Sequence, residues 1–138
     1  RQLVRQMRLF GSGSAPLLSE THAQFEACTG HRILERYGMT ETNMNTSNPY
    51  EGTRRAGTVG MPLPGIELKI TDASSGETLP AGEIGQIEVR GPNVFKGYWQ
   101  MPEKTREELR ENGFFITGDL GLIDTEGYVQ IVGRSKDF

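Results

Sequence analysis

Cysteine and histidine are scarce in this sequence. Cys28 is the single cysteine, and His22 and His31 are the two histidines, among 138 residues. One cysteine excludes a disulfide within the chain and fits a reducing compartment, so we expect a cytoplasmic protein. One cysteine and two separated histidines do not form the clustered ligand set of a structural zinc site.

Long apolar runs and blocks of like charge are also missing. No stretch approaches the roughly 20 apolar residues that cross a bilayer. Residues 1–8 carry three arginines and lead into a Gly/Ser turn, which is not the pattern of a signal peptide. The net charge is −3 and the basic residues are scattered, so we expect neither a membrane nor a nucleic acid as partner.

The two ends of the sequence lack the usual features of a complete protein. There is no initiator methionine, and residues 136–138 end the chain directly after a strand-like run. We therefore expect an internal fragment of a longer protein.

The character of the sequence changes near residue 56. Residues 1–55 contain seven basic and five acidic residues and have the pattern of an α/β segment. Residues 56–138 contain eight basic and thirteen acidic residues and 13 of the 18 glycines, as expected for short strands joined by tight turns.

Periodicity predicts the elements of the first part. We expect a strand at residues 7–10, a helix at 19–28 with Leu18, His22, Phe25 and Cys28 on one face, and a strand at 32–36. This order is typical of a mostly parallel sheet with crossover helices. Residues 43–53 are rich in Asn, Ser and Thr and are predicted to be a loop.

The second part alternates apolar and polar residues with a period of two. This pattern predicts strands at residues 66–70, 86–90 and 128–132, with turns at 72–76 and 124–127. A helix is expected at residues 103–110, after Pro102. We expect a small, twisted or barrel-like antiparallel sheet beside the α/β part.

Three short segments have chemistry that suits a nucleotide, and each has a plain structural alternative. Residues 11–16 (GSGSAP) form a small-residue turn that a ligand can approach closely, or an ordinary strand-to-helix turn. It is not a P-loop, because no Gly-Lys-Ser/Thr follows. Asp119, between two glycines, suits a ribose diol or a simple turn. Arg134 and Lys136 suit phosphates or a solvated turn.

Residues 37–42 (YGMTET) combine an aromatic ring, a glycine, two hydroxyls and a carboxylate directly after a strand. A tyrosine ring can stack on a purine, a threonine can donate to a phosphate oxygen, and one carboxylate suits Mg²⁺ held together with phosphates and waters. The alternative is a surface turn whose Thr and Glu cap the next segment. Composition alone does not decide between them. His22 fits a packing histidine better than a ligand.

Together these segments resemble the adenylate-forming superfamily, which includes acyl-CoA synthetases, luciferases and adenylation domains of peptide synthetases. The resemblance covers nearly the whole chain and rests on segments in the family's order and spacing: 36–41 (RYGMTE), 56–65 (AGTVGMPLPG), 82–85 (GEIG) with 88–91 (EVRG), 95–99 (FKGYW), 117–121 (TGDLG) and 133–137 (GRSKD). Residues 36–49 and 91–99 look most like malonyl-CoA synthetases.

The resemblance implies a fold and a domain order. The chain would be the C-terminal part of a large N-terminal domain: an α/β nucleotide-binding segment at 1–55, a distorted antiparallel β-barrel at 56–132, and a hinge at 133–138. Asp137 matches the hinge residue about which a small C-terminal domain rotates. Lys136 matches a basic position that serves the second half-reaction.

The implied reaction has two steps, with ATP, Mg²⁺ and coenzyme A as cofactors or co-substrates. A carboxylic acid attacks the α-phosphate of ATP to give an acyl adenylate and pyrophosphate, and the thiol of coenzyme A then displaces AMP. Thr40 would bind the α-phosphate, Glu41 would ligate Mg²⁺, and Asp119 would hold the ribose. The remaining nucleotide contacts implied are Ser14, Ala15, Pro16, Glu35, Arg36, Tyr37 (stacked on adenine), Gly38, Met39, Ile131 and Arg134.

The acyl pocket is less completely matched. Ser12 and Met44 lie where relatives shape it, and Asn43, Asn45 and Thr46 favour a small polar acid such as malonate or methylmalonate. Gly11 departs from the branched aliphatic residue expected there. The family's phosphate loop and catalytic lysine lie outside these residues, so we expect the 138 residues alone to be inactive. The alternatives are a ligase for another acid and a non-catalytic nucleotide-binding or structural remnant.

Overall fold

The first half of the molecule is a four-stranded mixed sheet with one crossover helix. The computed structural model describes residues 3–135. The elements in chain order are β1 (Gly11–Ser12), α1 (Ser19–Thr29), β2 (Leu34–Met39), β3 (Asn43–Ser47) and β4 (Met61–Pro62). The sheet order follows the chain, with β1 and β2 parallel and the later pairs antiparallel.

The second half is an antiparallel sheet of four consecutive strands. Its elements are β5 (Glu67–Thr71), β6 (Gly85–Arg90), α2 (Pro102–Glu108), β7 (Phe115–Ile123) and β8 (Val129–Arg134). A single bridge from Gly60 to Val129 joins the two sheets. The fold class is confirmed as α/β followed by β-rich, although the strands described here form open sheets rather than a closed barrel. The domain boundaries stay a prediction.

Helix α1 and the start of α2 lie within one residue of their predicted positions, whereas α2 ends at Glu108, two residues before its predicted end. Gly30 ends α1 with a φ of 79°, and its N–H donates to the Glu26 carbonyl at 2.8 Å. Pro102 opens α2, where its missing N–H is not needed. The expected apolar face of α1 is only partly buried: His22 is 1% exposed and lies 3.2 Å from the Ile33 carbonyl, whereas Leu18 and Cys28 are exposed. No helix within residues 3–135 is long and apolar enough to cross a membrane.

In the first half, the predicted strand at 7–10 and the predicted loop at 43–47 were wrong, and the strand predicted at 32–36 has shifted bounds. Residues 7–10 are not a strand, since the pairing with β2 starts one residue later, at Gly11. Residues 43–47 form β3 rather than a loop, because tertiary hydrogen bonds outweigh the low strand propensity of asparagine. The Thr46 hydroxyl, for example, donates to the Val59 carbonyl at 2.7 Å. Strand β2 also continues through Tyr37 to Met39, so the turn is shorter than expected.

The core connects the two sheets through Tyr37. This residue belongs to β2, but its ring is buried in a cluster with Ile70, Ile87, Val89 and Phe115 of the second sheet. Apolar burial of this kind is the main stabilising contribution to folding. The cluster therefore holds the first sheet against the second, and the cavity described below lies along this junction.

Candidate functional site

A cavity of about 380 Å³ lies between the β1–α1 loop, β2, β7 and β8. Ligand pockets in proteins are typically of about 300–1,000 Å³. Most of the residues predicted from the sequence to bind nucleotide or substrate line it: Ser12, Ser14, Ala15, Pro16, Glu35, Arg36, Tyr37, Gly38, Met39, Asp119, Ile131 and Arg134. Segments far apart in the sequence thus converge on one concave surface.

Four lining residues were not predicted: Leu17, Gly57, Val59 and Gly133. Gly57 and Val59 belong to the 56–65 segment, which carried the resemblance but received no role. Gly57 has a φ of +77°, and a Cβ on it would lie 2.7 Å from the Ser19 hydroxyl at the start of α1. The sequence feature that could have identified Gly57 is therefore its lack of a side chain, which the close approach to α1 requires.

Three predicted residues lie outside the cavity lining. Thr40 and Glu41 occupy the β2–β3 turn, which is closed by the Thr42 N–H on the Met39 carbonyl at 3.1 Å. Thr40 is exposed and Glu41 half-buried. Met44 lies on β3, paired with Gly38. Lys136 and Asp137 fall outside the described residues.

Asp119 is held from two sides at the cavity wall. The Tyr37 hydroxyl donates to Oδ2 at 2.5 Å, and Arg134 Nε lies 3.1 Å from Oδ1. Burial, followed by the hydrogen bond to Asp119, raises the pKa of Tyr37 far above its ordinary value, so the phenol stays a donor. These contacts fix the orientation of a carboxylate that is 7% exposed.

Glu35 is a second buried carboxylate on the cavity wall. It is 5% exposed, and its Oε1 has no hydrogen-bond partner among the described residues. Burial raises its pKa, opposed by His22 and by a hydrogen bond from the Gly57 backbone. A buried acceptor without a donor is costly, and a ligand N–H or O–H would satisfy it.

Replacing Glu35 with glutamine is expected to stabilise the full-length protein at pH 7–8 and to have little effect near pH 4. The folded pKa lies above the ordinary 4.5. The favourable contribution of the protonated carboxyl is therefore complete below the ordinary pKa of 4.5 and is lost as the pH rises through the raised folded pKa. Glutamine carries no charge and removes this loss. Thermal unfolding from pH 4 to 8 measures the difference; a variant that loses stability relative to wild type as the pH rises would contradict it.

Glu41 is bound by groups from the second half of the chain. Tyr98 Oη lies 3.1 Å from Glu41 Oε1 and 2.5 Å from Glu108 Oε2, and the Phe95 N–H donates to the Glu41 carbonyl at 2.8 Å. Burial and then the two carboxylates raise the pKa of Tyr98. Across the part of the chain that the structure describes, no three acidic, histidine or cysteine side chains cluster as a metal site.

Comparison with known proteins identifies the family to which the chain is similar. Residues 1–99 match the family model described as AMP-binding enzyme. The chain is 50% identical over 133 residues to malonate–CoA ligase of Arabidopsis thaliana, covering 96% of this chain and 21% of that protein.

Solved structures agree with the sequence match. ATP-bound MatB from Rhodopseudomonas palustris has a TM-score of 0.93 and 67% identity, covering 94% of this chain and 26% of that one. A malonyl-CoA ligase product complex with methylmalonyl-CoA and AMP has a TM-score of 0.83 and 50% identity, covering 92% and 27%. The chain thus spans between a fifth and about a quarter of these relatives.

Proposed function

The chain belongs to the AMP-binding enzymes, and from this premise we propose that the full-length protein is an ATP-dependent acid–CoA ligase. It would activate malonate or methylmalonate as an acyl adenylate and transfer the acyl group to coenzyme A. The observation that carries the proposal is the cavity itself. Its walls combine an oriented carboxylate on Asp119, a Glu35 carboxylate whose Oε1 has no partner among the described residues, and the Tyr37 side chain.

The cavity is proposed to hold the adenosine part of the nucleotide. The Asp119 carboxylate would accept hydrogen bonds from the ribose hydroxyls, and Glu35 Oε1 would accept one from an amino group of the base. Both roles need an acceptor fixed in place, which the buried positions of Asp119 and Glu35 supply. The walls would be completed by Ser14, Ala15, Pro16, Arg36, Gly38 and Met39, with Ile131 beneath the nucleotide and Arg134 near ribose or phosphate.

The phosphates are proposed to lie at the β2–β3 turn. The exposed Thr40 hydroxyl would donate to the α-phosphate, and Glu41 would hold Mg²⁺. Glu41 fits this role: it is half-buried, and within residues 3–135 only Oε1 of its two carboxylate oxygens accepts a hydrogen bond. Mg²⁺ is usually bound by one or two carboxylates plus substrate phosphates and water. The ion would supply positive charge that neutralises phosphate oxygens.

The choice of acid rests on similarity more than on polar side chains. Ser12 lines the cavity, and Met44 is proposed to contact the acyl group from β3. Asn45 and Thr46 are fully buried, and Asn45 Oδ1 and the Thr46 hydroxyl are hydrogen-bonded within the protein, so these two atoms serve the fold. Malonate and methylmalonate are therefore proposed because two relatives at 50% identity carry those names. Lys136 and Asp137 keep their proposed roles in the second half-reaction and at the hinge.

Substrate-dependent pyrophosphate release by the full-length protein tests the proposal. With ATP, Mg²⁺ and coenzyme A, we expect release with malonate or methylmalonate to exceed release with acetate or octanoate. Malonate no better than octanoate would overturn the proposed acid while leaving the ligase. Failure of every acid to stimulate release would overturn the ligase activity itself.

A further inference from the structure

Residues 93–98 form hydrogen bonds with the β2–β3 turn, which carries Thr40 and Glu41, and with β3. The Asn93 amide donates to the Thr42 carbonyl at 2.6 Å and to Asn45 Oδ1 at 3.1 Å. Five residues later, Tyr98 reaches the side chain of Glu41. The turn is therefore held at its backbone and at one functional side chain by a segment about 50 residues away in sequence.

Tyr98 is itself held firmly. Its ring packs edge-on against Phe95 with centroids 4.8 Å apart, and the Lys104 ammonium lies 4.4 Å above the ring centroid. Its backbone N–H donates to the Thr105 hydroxyl in α2 at 2.9 Å. The Tyr98 ring is thus held by two side-chain contacts, and its backbone by one hydrogen bond to α2.

We propose that Tyr98 is a positioning residue: its hydroxyl binds Glu41 Oε1 and leaves Oε2 directed to the cation. This inference rests on the proposed function, in which Glu41 holds the Mg²⁺ that accompanies ATP. A free glutamate carboxylate rotates about its terminal bond, and fixing one oxygen removes that freedom before the metal arrives. Outer hydrogen-bond partners of metal ligands commonly change metal affinity by about 10–100-fold.

A change at Glu108 distinguishes positioning of Glu41 by Tyr98 from attraction of the cation by negative charge alone. The Tyr98 hydroxyl has one proton and two carboxylate neighbours, Glu108 Oε2 at 2.5 Å and Glu41 Oε1 at 3.1 Å, so the two carboxylates compete for one donor. If negative charge alone attracts the cation, the loss of the Glu108 charge should weaken metal binding and the loss of the neutral phenol should not. If position matters, the phenol is the important group.

The test uses the full-length protein and the Tyr98→Phe variant. Mg²⁺ is titrated into protein saturated with a non-hydrolysable ATP analogue, and binding is followed by calorimetry. We expect the half-saturating Mg²⁺ concentration to rise about tenfold, as for the loss of a partly exposed hydrogen bond to a charged group. Affinity for AMP without metal should stay within about twofold, because a positioning residue for Glu41 does not touch the nucleoside cavity.

Tyr128→Phe is the matched control, since it also deletes a phenol bond, to the Thr53 carbonyl at 2.8 Å, without contacting Glu41. We expect its Mg²⁺ titration to match wild type, and Glu108→Gln to change half-saturation by less than about threefold. Unchanged Mg²⁺ binding in Tyr98→Phe, an equal loss of AMP binding in that variant, or a larger effect in Glu108→Gln would overturn the proposal. Absence of Mg²⁺-dependent binding in wild type would instead overturn the proposed function on which it rests.

Discussion

Replacing Gly38 with alanine is expected to destabilise the protein by about 3 kcal/mol or more and to abolish measurable nucleotide binding. A Cβ on Gly38 would lie 2.1 Å from the Asn43 carbonyl oxygen, well inside van der Waals contact. The neighbour is backbone and cannot move aside as a flexible side chain would. The β2–β3 hairpin would have to open at its register shift between Tyr37 and Gly38.

The distortion caused by Gly38→Ala should also affect the candidate site, because residues on both sides of Gly38 belong to that site. Tyr37 precedes Gly38 and lines the cavity, while Thr40 and Glu41 follow it in the turn. An opened hairpin displaces these groups together. Thermal unfolding and AMP calorimetry on the full-length protein measure the two effects.

Gly11→Ala is the matched control for this prediction. Gly11 lies in the same sheet, on β1 beside the cavity, but its added Cβ would meet only the Leu34 carbonyl oxygen at an ordinary 3.7 Å. We expect a change in stability within about 1 kcal/mol, since alanine also restricts the unfolded chain. A Gly38→Ala protein as stable as Gly11→Ala would contradict the close-contact argument.

Strand β7, which carries Asp119, shows why this residue could be identified from the sequence although the strand itself could not. Residues 117–121 contain two glycines and an aspartate, the composition of a turn, and were not predicted as a strand. In the structure they form the middle of β7, where Phe115, Thr117, Asp119 and Gly121 alternate toward the buried side. The period of two was present, but polar residues occupied the inward positions.

Those inward polar residues are explained by partners that are distant in sequence. The Thr117 hydroxyl donates to the Ile87 carbonyl at 2.9 Å, and Asp119 accepts from Tyr37, 82 residues away. Local propensity cannot anticipate bonds of this kind. The motifs thus indicated the residue types of the candidate site, whereas the unpartnered oxygen of Glu35 and the contact between Tyr98 and Glu41 required the structure.

Asp119→Asn is expected to weaken AMP binding by the full-length protein about 100-fold, because two charge-assisted hydrogen bonds lose their acceptor charge. A carboxylate accepts from both ribose hydroxyls, whereas an amide nitrogen presents a donor to one of them. The Tyr37 hydroxyl and Arg134 already occupy defined directions around Asp119, so the asparagine cannot restore both acceptors by rotating.

A double-mutant cycle with the ligand locates this loss at the ribose. Wild-type protein should prefer AMP to 2′-deoxy-AMP by about tenfold, and Asp119→Asn should reduce that preference to about threefold or less. Asp124→Asn makes the same chemical change in the β7–β8 turn, where Asp124 binds the backbone of Glu126 and Tyr128. It should leave the preference intact even if it lowers stability. If the Asp119→Asn variant kept the full tenfold preference for AMP over 2′-deoxy-AMP, the proposed contact with the ribose would be wrong, because only direct contact couples the aspartate to the 2′-hydroxyl. The wild-type carboxylate would then serve to orient Tyr37 and Arg134.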